Sequence, residues 1–279
     1  MMISLISDLL KGVAERLQGI SLISSTTKKI LKRNRIFKDK HVGQRAFVIV
    51  NGPSLKTQNL DLLENEITFV VSGFYKHKAI EKWQPTYYSI LDKAFFDGSD
   101  TSVVFFSELK KHIFKSIFFI PLFRGYKRNQ ELNLLPDEER VFYIASAGSP
   151  NCNIDMTSVV QSFQSVSSFA LAQAVYMGCS PIYLLGFDHD YLANRGVDKH
   201  FYEGNTIPGF DRKSTPMSEL FPYDNEMISN YKLWQNYRSL KSIAEKKRIK
   251  IYNATNGGYL DVFPRVNYNE VMQNVDSRK

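Results

Sequence analysis

"RAFVIVNGPSLK", residues 45–56, decides how this chain is read. The apolar residues Phe47 to Val50 run without a break into Asn51-Gly52-Pro53-Ser54. A short apolar run that ends in turn formers reads as a strand buried on both faces, as in a parallel sheet. Asn, Gly, Pro and Ser are common in any turn, so the plainer reading is a strand with an ordinary ending. The sharper reading is a ligand loop at the carboxyl end of a parallel strand, where open α/β sheets hold nucleotides.

Working outward, the pattern repeats. "ITFVVSGFY" (67–75), "TYYSILD" (86–92), "KSIFFIPL" (115–122), "RVFYIAS" (140–146), "PIYLLGFD" (181–188) and "IKIYNAT" (249–255) read as further strands. Between them "NLDLLENE" (59–66) reads as a short helix, and "RGYKRNQELN" (124–133) as a polar, basic loop. "SVVQSFQSVSSFALAQAVYMGC" (158–179) has helical spacing and ends at Gly178, and "MISNYKLWQNYRSLKSIAEKKR" (227–248) is a second long helix. Strand–helix–strand order implies a mostly parallel sheet with helices on both faces. Residues 189–227 are polar, rich in Gly, Pro, Asn and aromatic residues, and aperiodic; so long a stretch suggests a functional lid.

Charge divides the chain. Residues 1–45 carry ten Lys/Arg against three Asp/Glu, whereas 46–279 carry 26 against 25. A nearly neutral body argues against a broad nucleic-acid footprint. Residues 1–45 therefore read as a basic N-terminal arm, with Ile3, Ile6, Leu9, Leu10, Val13 and Leu17 at amphipathic helical spacing. Asp8, Lys11, Glu15 and Arg16 interrupt that run, so it cannot span a bilayer. Residues 1–40 suit an anionic inner-membrane surface, or a helix packed on the body or on a partner. The expected location is cytoplasmic or peripheral on the cytoplasmic membrane face. Two cysteines, Cys152 and Cys179, supply neither a disulfide framework nor a metal cluster.

Four strand ends carry unusual residues: Asn51-Gly52-Pro53-Ser54, Ser72-Gly73, Asp92 and Gly186-Phe187-Asp188. In a parallel sheet all four share one edge, which makes a binding crevice the natural expectation. Walker A and GxGxxG spacings are absent. His200, in "DKHFYEG", and His189 are the candidate proton-transfer groups, with Tyr191 and Tyr202 as donors to a departing phosphate. "DHD" at 188–190 mimics a metal-binding DxD, but no stronger metal motif accompanies it, and no metal or other cofactor is expected.

"VIVNGPSL", "SSFALAQAVYMGCSPIYLLGFD" and "HFYEG", in this order, resemble the bacterial sialyltransferases of glycosyltransferase family 42. They also resemble the related MptE-like domain family (domain of unknown function 115), found in surface-polysaccharide loci. The resemblance covers most of residues 45–260. It implies a single Rossmann-like α/β domain over 46–279, a GT-A variant with a lid, binding a CMP-sugar donor. By position it implies Asn51, Gly52 and Ser54 at the donor, Ser167 and Ser168 near the nucleotide, and His200 as general base. The implied reaction is metal-independent, inverting transfer of an acidic sugar to a glycan or glycolipid acceptor. The chain departs from the sialyltransferase pattern at Ser72-Gly73 and Asp92, where asparagines are expected, and in the spacing around Tyr191. Asp92 is the residue of the MptE-like relatives, some of which are pterin diphosphokinases, so magnesium-dependent phosphoryl transfer through Asp92, Asp188 and Asp190 is the competing reading. A non-catalytic protein of a glycan locus is the third.

Overall fold

The computed structural model describes residues 24–135, 138–148, 153–194, 200–202 and 222–276, with Leu10, Ala14 and Leu17 as single helical positions; for 274–276 it describes the backbone alone. Apart from those three positions, the amphipathic run of residues 1–23 lies outside the described residues, as do most of the lid and Cys152.

Seven strands form one sheet: β1 (Ala46–Ile49), β2 (Ile67–Val71), β3 (Tyr87–Ser89), β4 (Ile117–Pro121), β5 (Val141–Ile144), β6 (Ile182–Leu185) and β7 (Ile251–Asn253). Their order is β5-β4-β3-β2-β1-β6-β7, and every pairing is parallel. The single Rossmann-like α/β unit expected from the sequence is therefore present, with a wholly parallel rather than mostly parallel sheet. From β1 the chain steps outward to β5, then returns to lay β6 against the free side of β1, Ala46 facing both Ile67 and Ile182. That reversal is a topological switch point, where loops diverge and leave a crevice.

Alternation along each strand divides the core into two. Ala46, Val48 and Val50 join one apolar cluster with Phe69 and Val71, while Phe47 and Ile49 join the other with Val70. The first face is covered by α4 (Val166–Tyr176) and α5 (Tyr223–Lys246). The second is covered by α2 (Asp100–His112), the start of α3 (Leu122–Leu132) and Tyr268 of α6 (Tyr268–Asp276). From Ser167 to Tyr176, α4 is buried all round rather than amphipathic, and Ala170, Ala172 and Ala174 let it lie close to the sheet.

Four elements depart from the sequence reading. The polar stretch expected as a loop is α3, with Gly125 seated against Ile120 and Phe96. The long helix expected from residue 158 starts at Val166, because Ser165 caps it and Val160 instead bridges Ser146. "NLDLLENE" forms a short 3-10 turn, Leu60–Leu63, and the lid gives way to α5 at Tyr223, four residues before the expected helix start.

Residues 24–45 pack into the body. They begin with α1 (Ser25–Lys32), which ends in a 3-10 turn, Arg33–Phe37. Phe37 is fully buried with edge-on contacts to Tyr87, Phe119 and Phe142, and the buried Asn34 amide donates to the carbonyls of Tyr143 and Met156. The amides of Asp39, His41 and Gly43 donate to the carbonyls of Tyr176, Met177 and Gly178, satisfying acceptors that the end of α4 leaves open. Among the described residues, no helix is long and apolar enough to cross a membrane.

Candidate functional site

Above the carboxyl edge of the sheet lies a cavity of about 620 Å³. The expected residues Asn51, Gly52, Ser72, Asp92, Ser167, Gly186, His189, Tyr191, His200 and Tyr202 all line it. Pro53, Ser54, Gly73, Ser168 and Asp188, expected at the same site, are not among its lining residues.

Each strand end is shaped by local chemistry. Gly52 is required by space rather than by its φ of −61°: a Cβ there would strike Gly186 O and the Asp188 carboxylate. Its amide donates to Gly186 O, so the ends of β1 and β6 are tied together. Pro53 then opens a 3-10 turn, Pro53–Thr57, its ring taking the first helical position, where no amide donor is needed. Ser54 faces away from the cavity. Its amide and hydroxyl donate to the two Asp188 oxygens at 3.2 and 2.8 Å, so this carboxylate braces the loop. Burial raises the Asp188 pKa, and the two Ser54 donors act against that rise.

Asn51 is 7% exposed; its amide donates to Val71 O, and its Oδ1 has no hydrogen-bond partner. Its backbone carbonyl accepts from the Phe201 amide at 2.9 Å, which holds residues 200–202 over the loop. There His200 stacks on Tyr202 at 5.0 Å, and the Tyr202 ring presses on Gly73, where any Cβ would lie 2.5 Å from the Tyr202 hydroxyl. Ser72 turns the chain with a left-handed φ of 42°. Asp92 caps the 3-10 turn Lys93–Phe96 by accepting from the Ala94 amide.

The opposite wall holds a buried relay. His189 Nε2 lies 2.7 Å from the Tyr237 hydroxyl, which lies 2.7 Å from Ser167 Oγ, and Ser167 donates to Ser165 Oγ at 2.9 Å. With the Ser167 proton directed at Ser165, Tyr237 donates to Ser167 and accepts from His189 Nε2–H. Nδ1 of His189 then carries a bare lone pair, and it has no partner. Burial among aromatic rings lowers the His189 pKa to about 4, so the imidazole is neutral at neutral pH. Ser168 instead donates to Ser165 O inside the first turn of α4.

Sequence reasoning missed Ser165 and Gln164 on this wall, Lys93 and Arg124 on the far rim, and Tyr237 behind it. Tyr237 lies on the apolar side of α5, where a hydroxyl leaves no periodic signal. Arg124 was hidden by reading α3 as a loop. Among the described residues, no group of three or more His, Cys, Asp or Glu is placed to hold a metal ion.

A family model described as 6-hydroxymethylpterin diphosphokinase MptE-like matches residues 21–194, more than half of the chain. The chain belongs to this family. No curated protein matches it. Its fold is similar to that of the sialyltransferase CstII from Campylobacter jejuni in complex with CMP-3FNeuAc, at 14% identity and a TM-score of 0.47, covering 81% of this chain and 87% of that one. CstII with cytidine-5'-monophosphate gives 13% identity and a TM-score of 0.48, over 82% and 86% of the two chains. The monofunctional α-2,3-sialyltransferase Cst-I from the same organism gives 19% and 0.43, over 80% of each. At these scores the likeness adds nothing to the architecture already given by the parallel sheet and its switch point.

Proposed function

We propose that this MptE-like protein is a metal-independent, inverting glycosyltransferase that uses a CMP-activated acidic sugar, a sialic acid or a related nonulosonic acid. The observation that carries this reading is the donor set of the crevice. Its described lining offers hydroxyls, amides, imidazoles and the cations Lys93 and Arg124, with Asp92 the one carboxylate. Asp188 is turned away onto Ser54. Such a set can stabilise a departing monophosphate with hydrogen bonds and fixed charge. The cytidine and sialic-acid identity comes from the sequence resemblance carried by "VIVNGPSL", "LLGFD" and "HFYEG".

In this reading Asn51 and the Gly52 backbone bind the donor, Ser167 approaches it from the start of α4, and Tyr191 and Tyr202 face the phosphate. His200 takes the proton of an acceptor hydroxyl. The freed oxygen bonds to the anomeric carbon while the bond from that carbon to the phosphate oxygen breaks, so CMP leaves and configuration inverts. His200 is the base rather than His189, because His189 is held near pKa 4 with Nε2 engaged by Tyr237. The exposed Lys28, Lys29, Lys32, Lys38 and Lys40 offer a cationic face to an anionic membrane surface carrying a lipid-linked acceptor.

The family match favours a second reading, magnesium-dependent diphosphoryl transfer. The described lining offers that magnesium one carboxylate, Asp92, so the ion would have to be held by Asp92, the substrate phosphates and water. Thermal-shift titration with CMP and with ATP, each with and without magnesium, tests the choice. Ligand at a hundredfold excess over Kd adds about 2.7 kcal/mol of stability, so CMP is expected to raise Tm without magnesium. Stabilisation by ATP and magnesium alone would overturn the transferase in favour of the kinase.

A further inference from the structure

A second cleft, of about 510 Å³, lies behind the Asn51 loop, on the far side of the 3-10 turn Pro53–Thr57. Lys56, Lys76 and Lys78 line it, and none of the three forms an ion pair with a described carboxylate. Asp61, also on the wall, is neutralised by Lys82 at 2.5 Å. Three cations in one concavity with no ion-pair partner among the described residues favour an anion there.

Two further groups indicate more than bare charge. Gln58 is 9% exposed; its amide donates to Ala254 O at 2.8 Å, and its Oε1 has no partner. A buried acceptor left unmatched costs about 1–3 kcal/mol and is relieved by a hydroxyl donor. His77 accepts the Ala79 amide at Nδ1, so its neutral ring carries the proton on Nε2 as a donor. Phe201 closes the cleft, packed edge-on to the His77 ring at 5.0 Å.

One short segment borders both the cleft and the crevice. Phe201 lines the one and Tyr202 the other, with their ring planes at 88°. The Lys76 ammonium lies 4.6 Å from the Tyr202 ring centroid. A ligand in the cleft would therefore press on the segment that carries His200.

We propose that this cleft binds a phosphorylated saccharide: the phosphate on Lys56, Lys76 and Lys78, sugar hydroxyls on Gln58 and His77, and a sugar face on Phe201. Its role as part of the acceptor rests on the glycosyl-transfer reading; its anion and saccharide binding does not.

The test is calorimetric titration of the full chain with glucose 1-phosphate, inorganic phosphate and glucose, each with and without saturating CMP. Glucose 1-phosphate is expected to bind more tightly than either part and to keep its affinity when CMP is present. The double variant Lys56→Gln/Lys78→Gln, which spares Lys76 and its contact with Tyr202, should weaken binding about tenfold. Lys56→Arg/Lys78→Arg should restore it, and CMP affinity should stay within about twofold in both variants. A second arm presents the sugar phosphate as the headgroup of a prenyl lipid in phosphatidylcholine vesicles. Charge-dependent retention stronger than that of the free sugar phosphate supports the cleft with a membrane-borne ligand, and equal retention supports it with a soluble one. Displacement of glucose 1-phosphate by CMP, or unchanged affinity in the Lys→Gln variant, would overturn the proposal. Failure of CMP itself to bind sinks the donor reading and leaves the glucose 1-phosphate titration as a valid test of the cleft.

Discussion

His189 is strained twice over: its φ of 46° is left-handed, and its ring is buried with one nitrogen unpartnered. The sequence displayed a histidine after a strand but could not display its burial, which depends on Trp234 and Tyr237 arriving from α5. That burial has a measurable consequence. The folded pKa, about 4, lies below the unfolded value of 6.5, so the unfolded chain takes up the proton first. The stability this histidine contributes is complete above about pH 6.5 and is lost as pH falls toward 4, about 3 kcal/mol in all. We expect Tm of the wild type to fall across that window. His189→Asn, which tolerates the left-handed backbone, should flatten the fall. Identical acid limbs in the two proteins would show that another group governs it.

At the scale of elements, the parallel strands and the polar residues at their ends were legible because buried strands are continuous apolar runs and turn residues stop them. The helices were less so. α3 carries Gly125 in its second turn and few apolar residues, and it is held by Gly125 fitting under Ile120 and by the Asn129–Tyr143 hydrogen bond, both tertiary effects. α2 has a run, Val103-Val104-Phe105-Phe106, that blurs helical periodicity. Its clues were at its ends: Ser99 capping the Ser102 amide, and Lys110, Lys111 and His112 in its last turn. The junction of α4 and α5 carries the next prediction. Tyr237→Phe removes the hydroxyl that joins His189 to Ser167 while keeping the ring in the core. The buried His189 Nε2 then loses its partner while Ser167 keeps only Ser165, and stability should drop by about 1–3 kcal/mol in denaturant titrations. Under the donor reading, affinity for CMP should fall as well, because Ser167 loses one of the two bonds that orient it. A drop in stability with CMP affinity intact would make the relay structural only.

At the scale of the whole molecule, the charge boundary at residue 45 and the packing boundary do not coincide. Composition separated a basic arm from a neutral body, yet the basic residues of 28–40 are the exposed side of a segment whose other side is core. Leu31, Asn34 and Phe37 point inward at intervals of three, a helical signal obscured by the lysines and arginines around them. Phe37 is the keystone, touching rings from β3, β4 and β5. Phe37→Ala should therefore cost about 3–5 kcal/mol, the range for a fully buried aromatic, as a lower denaturation midpoint at unchanged slope. Phe37→Leu, which keeps much of the volume, should cost less. The same segment covers the end of α4, whose first turn lies at the crevice, so the Ala variant should also weaken CMP binding in the donor reading. A Phe37→Ala protein as stable as the wild type would mean that residues 24–45 are an appendage after all, and that α4 is held by the sheet and α5 alone.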